Sequence, residues 1–218
     1  MTEACGAASV GDTPRIRPFK AADLDACYAI SLATGLAGGN ASHLYRDPKM
    51  MGHIYVAPYA TLEPELTFVV EDALGVAGFV VGVVNTATWE ERLEREWWPV
   101  LRLRYPDPSD VAPASQSADQ RRAAMIHRPS RTPPDVVANN PGHLHMNLLP
   151  RVQRRGVGSA LFATWLEAAR QRGAGALHVG VNPANTGAVP FWRKLGFVPL
   201  AQLGLPQERT LWMGRNSQ

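Results

Sequence analysis

The segment from His143 to Gln171 constrains the fold most, because it predicts a strand, a basic glycine loop and a helix in direct succession. At its start, apolar Leu144, Met146 and Leu148 alternate with polar residues, which is typical of a strand with one buried face. Pro150 then ends the strand, since it lacks the N–H that would continue the pairing. Beyond the glycines, apolar residues recur with helical spacing.

The loop in this segment predicts an anion site. Arg151, Arg154 and Arg155 supply positive charge, and Gly156 and Gly158 allow a ligand to approach the backbone closely. The first N–H groups of the helix and the positive end of its dipole point into the same loop, which favours a phosphate. A solvated basic turn is the alternative. The loop lacks the motifs of nucleoside-triphosphate and dinucleotide sites.

Several motifs resemble those of the GNAT superfamily of N-acetyltransferases. Gln153-x-x-Gly156-x-Gly158, after a strand that ends in Leu-Pro, resembles its pyrophosphate loop. The run from Asn185 to Phe197 resembles its second signature, and Ile16–Phe19 with Asp23-Leu24-Asp25 resembles its first strand and helix. More narrowly, residues 54–82 are similar to the acetyltransferase-like C-terminal domain of animal O-GlcNAcases and its bacterial relatives.

This resemblance implies an α/β (α+β) fold: a single GNAT-like domain with a central twisted mixed sheet of about seven strands flanked by helices. A length of 218 residues suits one sizeable core. We expect the domain to span residues 14–218, after a disordered tail at 1–13. Prolines punctuate residues 106–142, which predicts an insertion that serves as a lid or an oligomer contact.

The resemblance also implies acetyl-CoA as co-substrate and a primary amine as acceptor, on a small molecule or a protein lysine. The backbone at Leu148 and Leu149 is expected to meet the thioester carbonyl and the pantetheine arm. All residues expected to bind acetyl-CoA are Leu148, Leu149, Gln153, Arg154, Arg155, Gly156, Val157, Gly158, Ser159, Asn185, Phe191, Trp192 and Lys194.

Histidines are the candidates for the base that deprotonates the amine, because imidazole titrates near neutrality. His143 and His145 share one predicted strand, and His178 lies on the next. Related enzymes place a glutamate near the position of His143, so His143 is the first choice and His145 the second. Structural histidines are the alternative, and Glu71 and Asp72 are the carboxylate alternatives.

Trp192 stands where the family often carries a tyrosine that protonates the departing thiolate. An indole N–H donates a hydrogen bond but does not give up its proton. This departure keeps a second function open, a catalytically weak or inactive module that binds acetyl-CoA or a partner.

The remaining elements follow from local patterns. Residues 65–71 and 76–85 predict a strand hairpin, and Gly78 and Gly82 predict a bulge or a close backbone approach. Thr88-x-x-Glu91 is a capping box that predicts a helix from Trp89. Two closing strands are expected at 198–203 and 209–213, and 49–60 is ambiguous.

Composition excludes several classes of function. The net charge of +3, from 22 Lys and Arg against 19 Asp and Glu, is too small and dispersed for nucleic-acid binding. Cys5 and Cys27 form neither a disulfide framework nor a metal motif, so we expect no metal and a cytoplasmic protein. No apolar run approaches the roughly 18 residues of a membrane span, and the first residues do not predict a signal peptide. A homodimer remains open.

Overall fold

A computed structural model describes residues 13–200 and 210–216. Seven strands in these residues form one mixed sheet in the order β1-β2-β3-β4-β5-β7-β6. β4 and β5 are parallel, and all other neighbours are antiparallel. The strands are β1 Arg15–Pro18, β2 Thr67–Asp72, β3 Gly75–Val83, β4 Gly142–Leu148, β5 Ala176–Val181, β6 Val198–Pro199 and β7 Leu211–Asn216. The prediction of one α/β domain with about seven mixed strands is confirmed.

Helices cover both faces of the sheet, and each face has its own apolar core. One core joins β2 and β3 to α1–α6, and the other joins the sheet to α8 and α9. The helices in the described residues are α1 Leu24–Ala33, α2 Met50–Tyr55, α3 Ala57–Leu62, α4 Thr86–Glu96, α5 Trp98–Arg104, α6 Ala118–His127, α7 Pro134–Asn139, α8 Val157–Gln171 and α9 Ala188–Lys194. None of them is long and apolar enough to cross a membrane.

Two glycines of β3 bring β4 unusually close. A Cβ built on Gly78 would lie 2.3 Å from the Leu148 side chain, and one on Gly82 would lie 2.3 Å from the His143 carbonyl oxygen. The sequence left a bulge and a close backbone approach as alternatives for these glycines, and the structure has the close approach at both. The register irregularity of the hairpin falls instead between Val70 and Glu71.

Helix α4 begins three residues before the predicted start. The Asn85 side chain accepts from the Thr88 N–H at 3.1 Å, and this bond caps a helix that begins at Thr86. The prediction of a capping box at Thr88 with a start at Trp89 was wrong, because Thr88 lies inside the first turn. The ambiguous segment at 49–60 forms α2 and most of α3.

The proline-rich segment 106–142 contains α6 and α7, and α6 packs against α2 and α5. Ser117 and Gln120 form a reciprocal capping box that starts α6. The closing strands are present as β6 and β7, and residues 201–209 lie outside the described residues. The predicted tail also lies outside them, except for Thr13.

The only parallel pair in the described sheet separates soon after it begins. β4 and β5 pair at Gly142–Leu177 and His143–His178, and β4 then continues to Leu148 without that partner. The Leu149 N–H donates to the Ala77 carbonyl, so odd-numbered residues of this strand pair with β3. Even-numbered residues turn their backbone groups the other way, toward the gap beside β5.

Candidate functional site

A cavity of about 720 Å³ lies against this gap, on the face of the sheet that carries α1–α6. His143, His145 and Asn147 of β4 line its floor, and Gly180 and Asn182 extend it beyond the end of the β4–β5 pairing. Its walls come from α1, α2, α4 and α6. The early separation of β4 from β5 therefore creates the gap, and the odd-numbered residues of β4 supply the polar surface beside it.

The predicted anion loop begins α8, which packs on the opposite face of the sheet. Gly156 has φ +77° and Arg154 has φ +59°, so two loop residues are left-handed. No side chain caps the start of α8 in the described residues, and the first amides of a helix have no acceptor within it. Successive free N–H groups in such a turn form an anion-binding concavity. Arg154 and Arg155 are exposed beside it.

The start of α8 fits tightly against the end of β4. A Cβ on the buried Gly158 would lie 3.0 Å from the Phe191 ring and 3.2 Å from Leu148. Gln153 reaches back and donates from Nε2 to the Leu148 carbonyl at 2.7 Å. The structure thus brings the predicted residues Leu148, Gln153, Gly158 and Phe191 together at one end of the gap.

The other residues predicted to bind acetyl-CoA differ in their placement. Val157 and Ser159 lie in the first turn of α8, Asn185 lines the cavity, and Lys194 is exposed at the end of α9. The Leu149 N–H is already bonded to Ala77 at 2.8 Å. This N–H is therefore not free for a thioester, whereas Leu148 turns its backbone groups toward the gap.

Trp192 does not reach the cavity. Its side chain is 7% exposed and packs edge-on against Phe162, Phe191 and Phe197 in the apolar core beneath α8. The sequence placed Trp192 at a position of acid catalysis, and the structure corrects this.

His143 is bonded at both ring nitrogens. Its Nδ1 lies 2.7 Å from Thr86 Oγ1, and its Nε2 lies 2.7 Å from Tyr59 Oη. Thr86 Oγ1 is also 2.7 Å from the Pro141 carbonyl oxygen, which can only accept. The single hydroxyl proton of Thr86 is therefore on the Pro141 side, and His143 donates from Nδ1 to Thr86.

The remaining proton positions follow from this one. His143 Nε2 carries a lone pair and accepts from the Tyr59 hydroxyl. The Tyr59 oxygen then accepts from His145 Nε2 at 3.2 Å. His145 is thereby assigned as the Nε2–H tautomer, and its Nδ1 lone pair has no donor among the described residues. Of the two predicted bases, His145 and not His143 has a free basic nitrogen.

Burial keeps this cluster neutral. Loss of hydration, with the neighbouring His178, lowers the pKa of His145 to about 4. Burial also holds the pKa of His143 well below its usual value. Both imidazoles are therefore uncharged at neutral pH, which is the form that accepts a proton.

The alternative bases have structural roles. His178 is buried and bonds through Nδ1 to the Asn140 carbonyl at 2.6 Å. Glu71 pairs with Arg17, and Asp72 accepts from the Leu74 N–H in the hairpin turn. Neither carboxylate lines the cavity.

Sequence reasoning missed Tyr59 and Thr86. They lie 84 and 57 residues before His143 and carry no motif of their own. Only the packing of α3 and α4 on the sheet brings them to the histidines. In the residues that the structure describes, no group of three His, Cys, Asp or Glu side chains is placed to hold a metal ion.

Comparisons with known proteins agree on the family. The sequence model of the acetyltransferase (GNAT) family matches residues 45–197. Protein O-GlcNAcase of Rattus norvegicus and of Mus musculus is 23% identical over 172 residues, which is 78% of this chain and 18% of those proteins. The chain thus spans about a fifth of the length of the curated relatives that it matches.

Solved structures share the fold. The crystal structure of a protein named SsHAT superposes with a TM-score of 0.85 at 36% identity, over 94% of this chain and 99% of that one. A phosphinothricin acetyltransferase of the GNAT superfamily from Sinorhizobium meliloti, in complex with acetyl-CoA, gives a TM-score of 0.54 at 16% identity, over 94% and 88%. With the matched motifs and the sheet order, these findings show that the chain belongs to the GNAT family of acetyltransferases.

Proposed function

We propose that the protein is an acetyl-CoA-dependent N-acetyltransferase that acts on a primary amine. The observation that carries this proposal is the free Nδ1 of His145, which lies in a cavity beside the gap between β4 and β5. The anion loop follows β4, the strand that carries His145. One strand therefore positions both the base and the loop that binds the acetyl donor. The acetyl-CoA held by the Sinorhizobium meliloti relative supports the choice of donor.

Each group in the site has one task in this reaction. The loop from Gln153 to Ser159 binds the pyrophosphate through backbone N–H groups. The Leu148 N–H, which faces the gap, donates to the thioester carbonyl as negative charge develops there. His145 Nδ1 accepts the proton of the amine, whose lone pair attacks the carbonyl carbon. A C–N bond forms, the C–S bond breaks, and the thiolate leaves to be protonated by water.

Tyr59 and His143 position the base and stabilise its charged form. When His145 gains a proton, its Nε2–H remains bonded to the Tyr59 oxygen, and the Tyr59 hydroxyl remains bonded to His143. A hydrogen-bond chain of this kind polarises along its length and favours the positive imidazolium. With a pKa of about 4, His145 is a weak base at neutral pH, and the chain lowers the cost of charging it during the transfer.

The placement of Trp192 favours a second candidate, a domain that binds acetyl-CoA without efficient transfer. With Trp192 in the core, its position offers no hydroxyl to protonate the thiolate. This candidate predicts tight acetyl-CoA binding and no thiol release above background with any amine.

Calorimetric titration with acetyl-CoA, combined with thiol release from a panel of amines, tests the proposal. We expect micromolar or tighter binding and amine-dependent release. Gly156→Glu should weaken binding roughly a hundredfold, because it places a carboxylate among the N–H groups that hold the pyrophosphate. A Cβ at Gly156 meets nothing within 4 Å, so the added side chain has room.

Gly156→Gln is the matched control. It has the same size and the same strain from the positive φ, but no charge. If both variants lose binding equally, strain and not charge is the cause. If Gly156→Glu still binds acetyl-CoA tightly, the loop is not the pyrophosphate site.

A further inference from the structure

Arg122 on α6 brings a positive charge to the wall of the cavity. It is half-buried and donates from Nε to the Tyr45 hydroxyl at 3.1 Å. Its Nη1 donates to the Tyr55 hydroxyl at 2.8 Å and to the Met125 sulfur at 3.0 Å. All three partners, two phenols and a thioether, are uncharged. Its Nη2 has no acceptor in the described part of the chain, so this one NH₂ group of the guanidinium is available to a ligand.

The other charges that line the cavity are already paired. Glu90 accepts from the Thr132 N–H at 2.8 Å and lies 3.4 Å from Arg131, and Glu94 pairs with Arg102 at 2.9 Å. Of the Arg, Lys, Asp and Glu residues of this lining that the structure describes, only Arg122 lacks an oppositely charged partner within ion-pair distance. The nearby histidines are neutral and do not compensate its charge. The wall around α6 therefore favours an anion.

Arg122 and the base contact the same ring. The guanidinium carbon lies 5.5 Å from the centre of the Tyr55 ring, and the His145 ring lies 5.8 Å from it, edge-on. None of residues 150–159 lines this cavity, so Arg122 is separate from the loop assigned to the pyrophosphate. A molecule lying over Tyr55 would reach the base with one end and Arg122 with the other.

The segment after α6 forms a further part of the cavity lining. Pro129, Ser130, Arg131 and Thr132 line it, and the bonds from Thr132 to Glu90 attach the segment to α4. Because these bonds hold the segment in place, this part of the lining limits the room for an acceptor. It suits a small molecule more than a lysine within a folded protein surface.

We propose that the acceptor is a small amine that also carries a carboxylate, with the carboxylate bound by Arg122 and the amine presented to His145. This proposal rests on the proposed function for the identity of the base. With Nε and Nη1 already bonded, the Nη2 group donates a charge-assisted hydrogen bond to the carboxylate, and such a bond is stronger in a half-buried site than in water. The pair also fixes which end of the acceptor faces the thioester.

Matched ligands test the proposal directly. Linear amino acids of increasing chain length are compared with the primary amides of the same acids, which keep the amine and lose the negative charge. Binding to the CoA-saturated protein is measured by calorimetry, and turnover by thiol release. At least one acid should bind roughly tenfold to a hundredfold more tightly than its amide.

Two variants test whether Arg122 causes the tighter binding of the acid. Arg122→Met keeps much of the bulk of the side chain and removes the charge, so it should abolish the difference between acid and amide. Arg121→Met is the control, because Arg121 is the neighbouring cation of the same helix, is exposed, bonds to the Gln116 carbonyl and does not line the cavity. It should retain the preference.

The outcomes separate this proposal from the proposed function. Equal binding of acids and amides, binding of no acid at all, or a preference that survives in Arg122→Met overturns the assignment of Arg122. Absence of acetyl-CoA binding instead contradicts the proposed function. In that case, binding of acids and amides is compared in the protein without CoA. Tighter binding of the acid that is lost in Arg122→Met still supports the role of Arg122, and equal binding overturns it.

Discussion

The anion loop and the histidine cluster lie at two ends of one strand but are built in different ways. The loop is local: Gln153, Gly156 and Gly158 act through their own backbone and the first turn of α8. The histidine cluster is assembled over long range, since β4 supplies the histidines while α3 supplies Tyr59 and α4 supplies Thr86.

This difference separates binding from chemistry. The loop requires glycine conformations and free N–H groups, which a short motif can specify. The cluster requires that each hydrogen bond has one donor and one acceptor. The Pro141 carbonyl, which can only accept, fixes the donor and acceptor of every hydrogen bond from Thr86 to His145. Changes in the loop should therefore affect acetyl-CoA affinity, and changes in the cluster should affect turnover.

The largest effect on turnover is expected from His145→Gln. Glutamine can still donate to the Tyr59 oxygen but has no basic nitrogen, so kcat should fall by about 10²–10⁴-fold while the Kd for acetyl-CoA is unchanged. Steady-state kinetics and calorimetry measure the two quantities. His127→Gln is the control, because His127 bonds to the Tyr105 carbonyl outside the cavity. A His145→Gln enzyme with normal kcat would remove His145 from the mechanism.

A smaller effect is expected from Tyr59→Phe. The change breaks the connection between the two imidazoles, so the charged form of His145 loses its support and kcat should fall about tenfold, with a shifted pH profile. The matched control is Tyr28→Phe, which removes a similar bond to His53 at 3.0 Å away from the cavity. If both variants lose only stability and keep the wild-type pH profile, Tyr59 has no positioning role.

The sequence predicted the local features well and the assembled ones poorly. Strand alternation in β4, the hairpin of β2 and β3 and the glycine loop depend on neighbouring residues, and the structure contains them. The predicted start of α4 was wrong because Asn85 caps the helix, whereas the sequence pattern at Thr88 and Glu91 suggested a later cap. The hydrogen bonds that distinguish His143 from His145 come from Thr86 and Tyr59, whose approach no periodicity encodes. Trp192 was assigned a reactive position from its motif, and packing against Phe162 and Phe197 places it in the core.

The most direct test of the account is the protonation of the two imidazoles, measured by long-range ¹H–¹⁵N NMR during a pH titration, with His145→Gln and His143→Gln for assignment. We predict that His143 is the neutral Nδ1–H tautomer and His145 the neutral Nε2–H tautomer. Because burial lowers the pKa of His145 to about 4, its signals should not change between pH 8 and about 5 and should shift only as the pH falls toward that value. A His145 that titrates near its ordinary pKa, or that carries its proton on Nδ1 at neutral pH, would contradict the account.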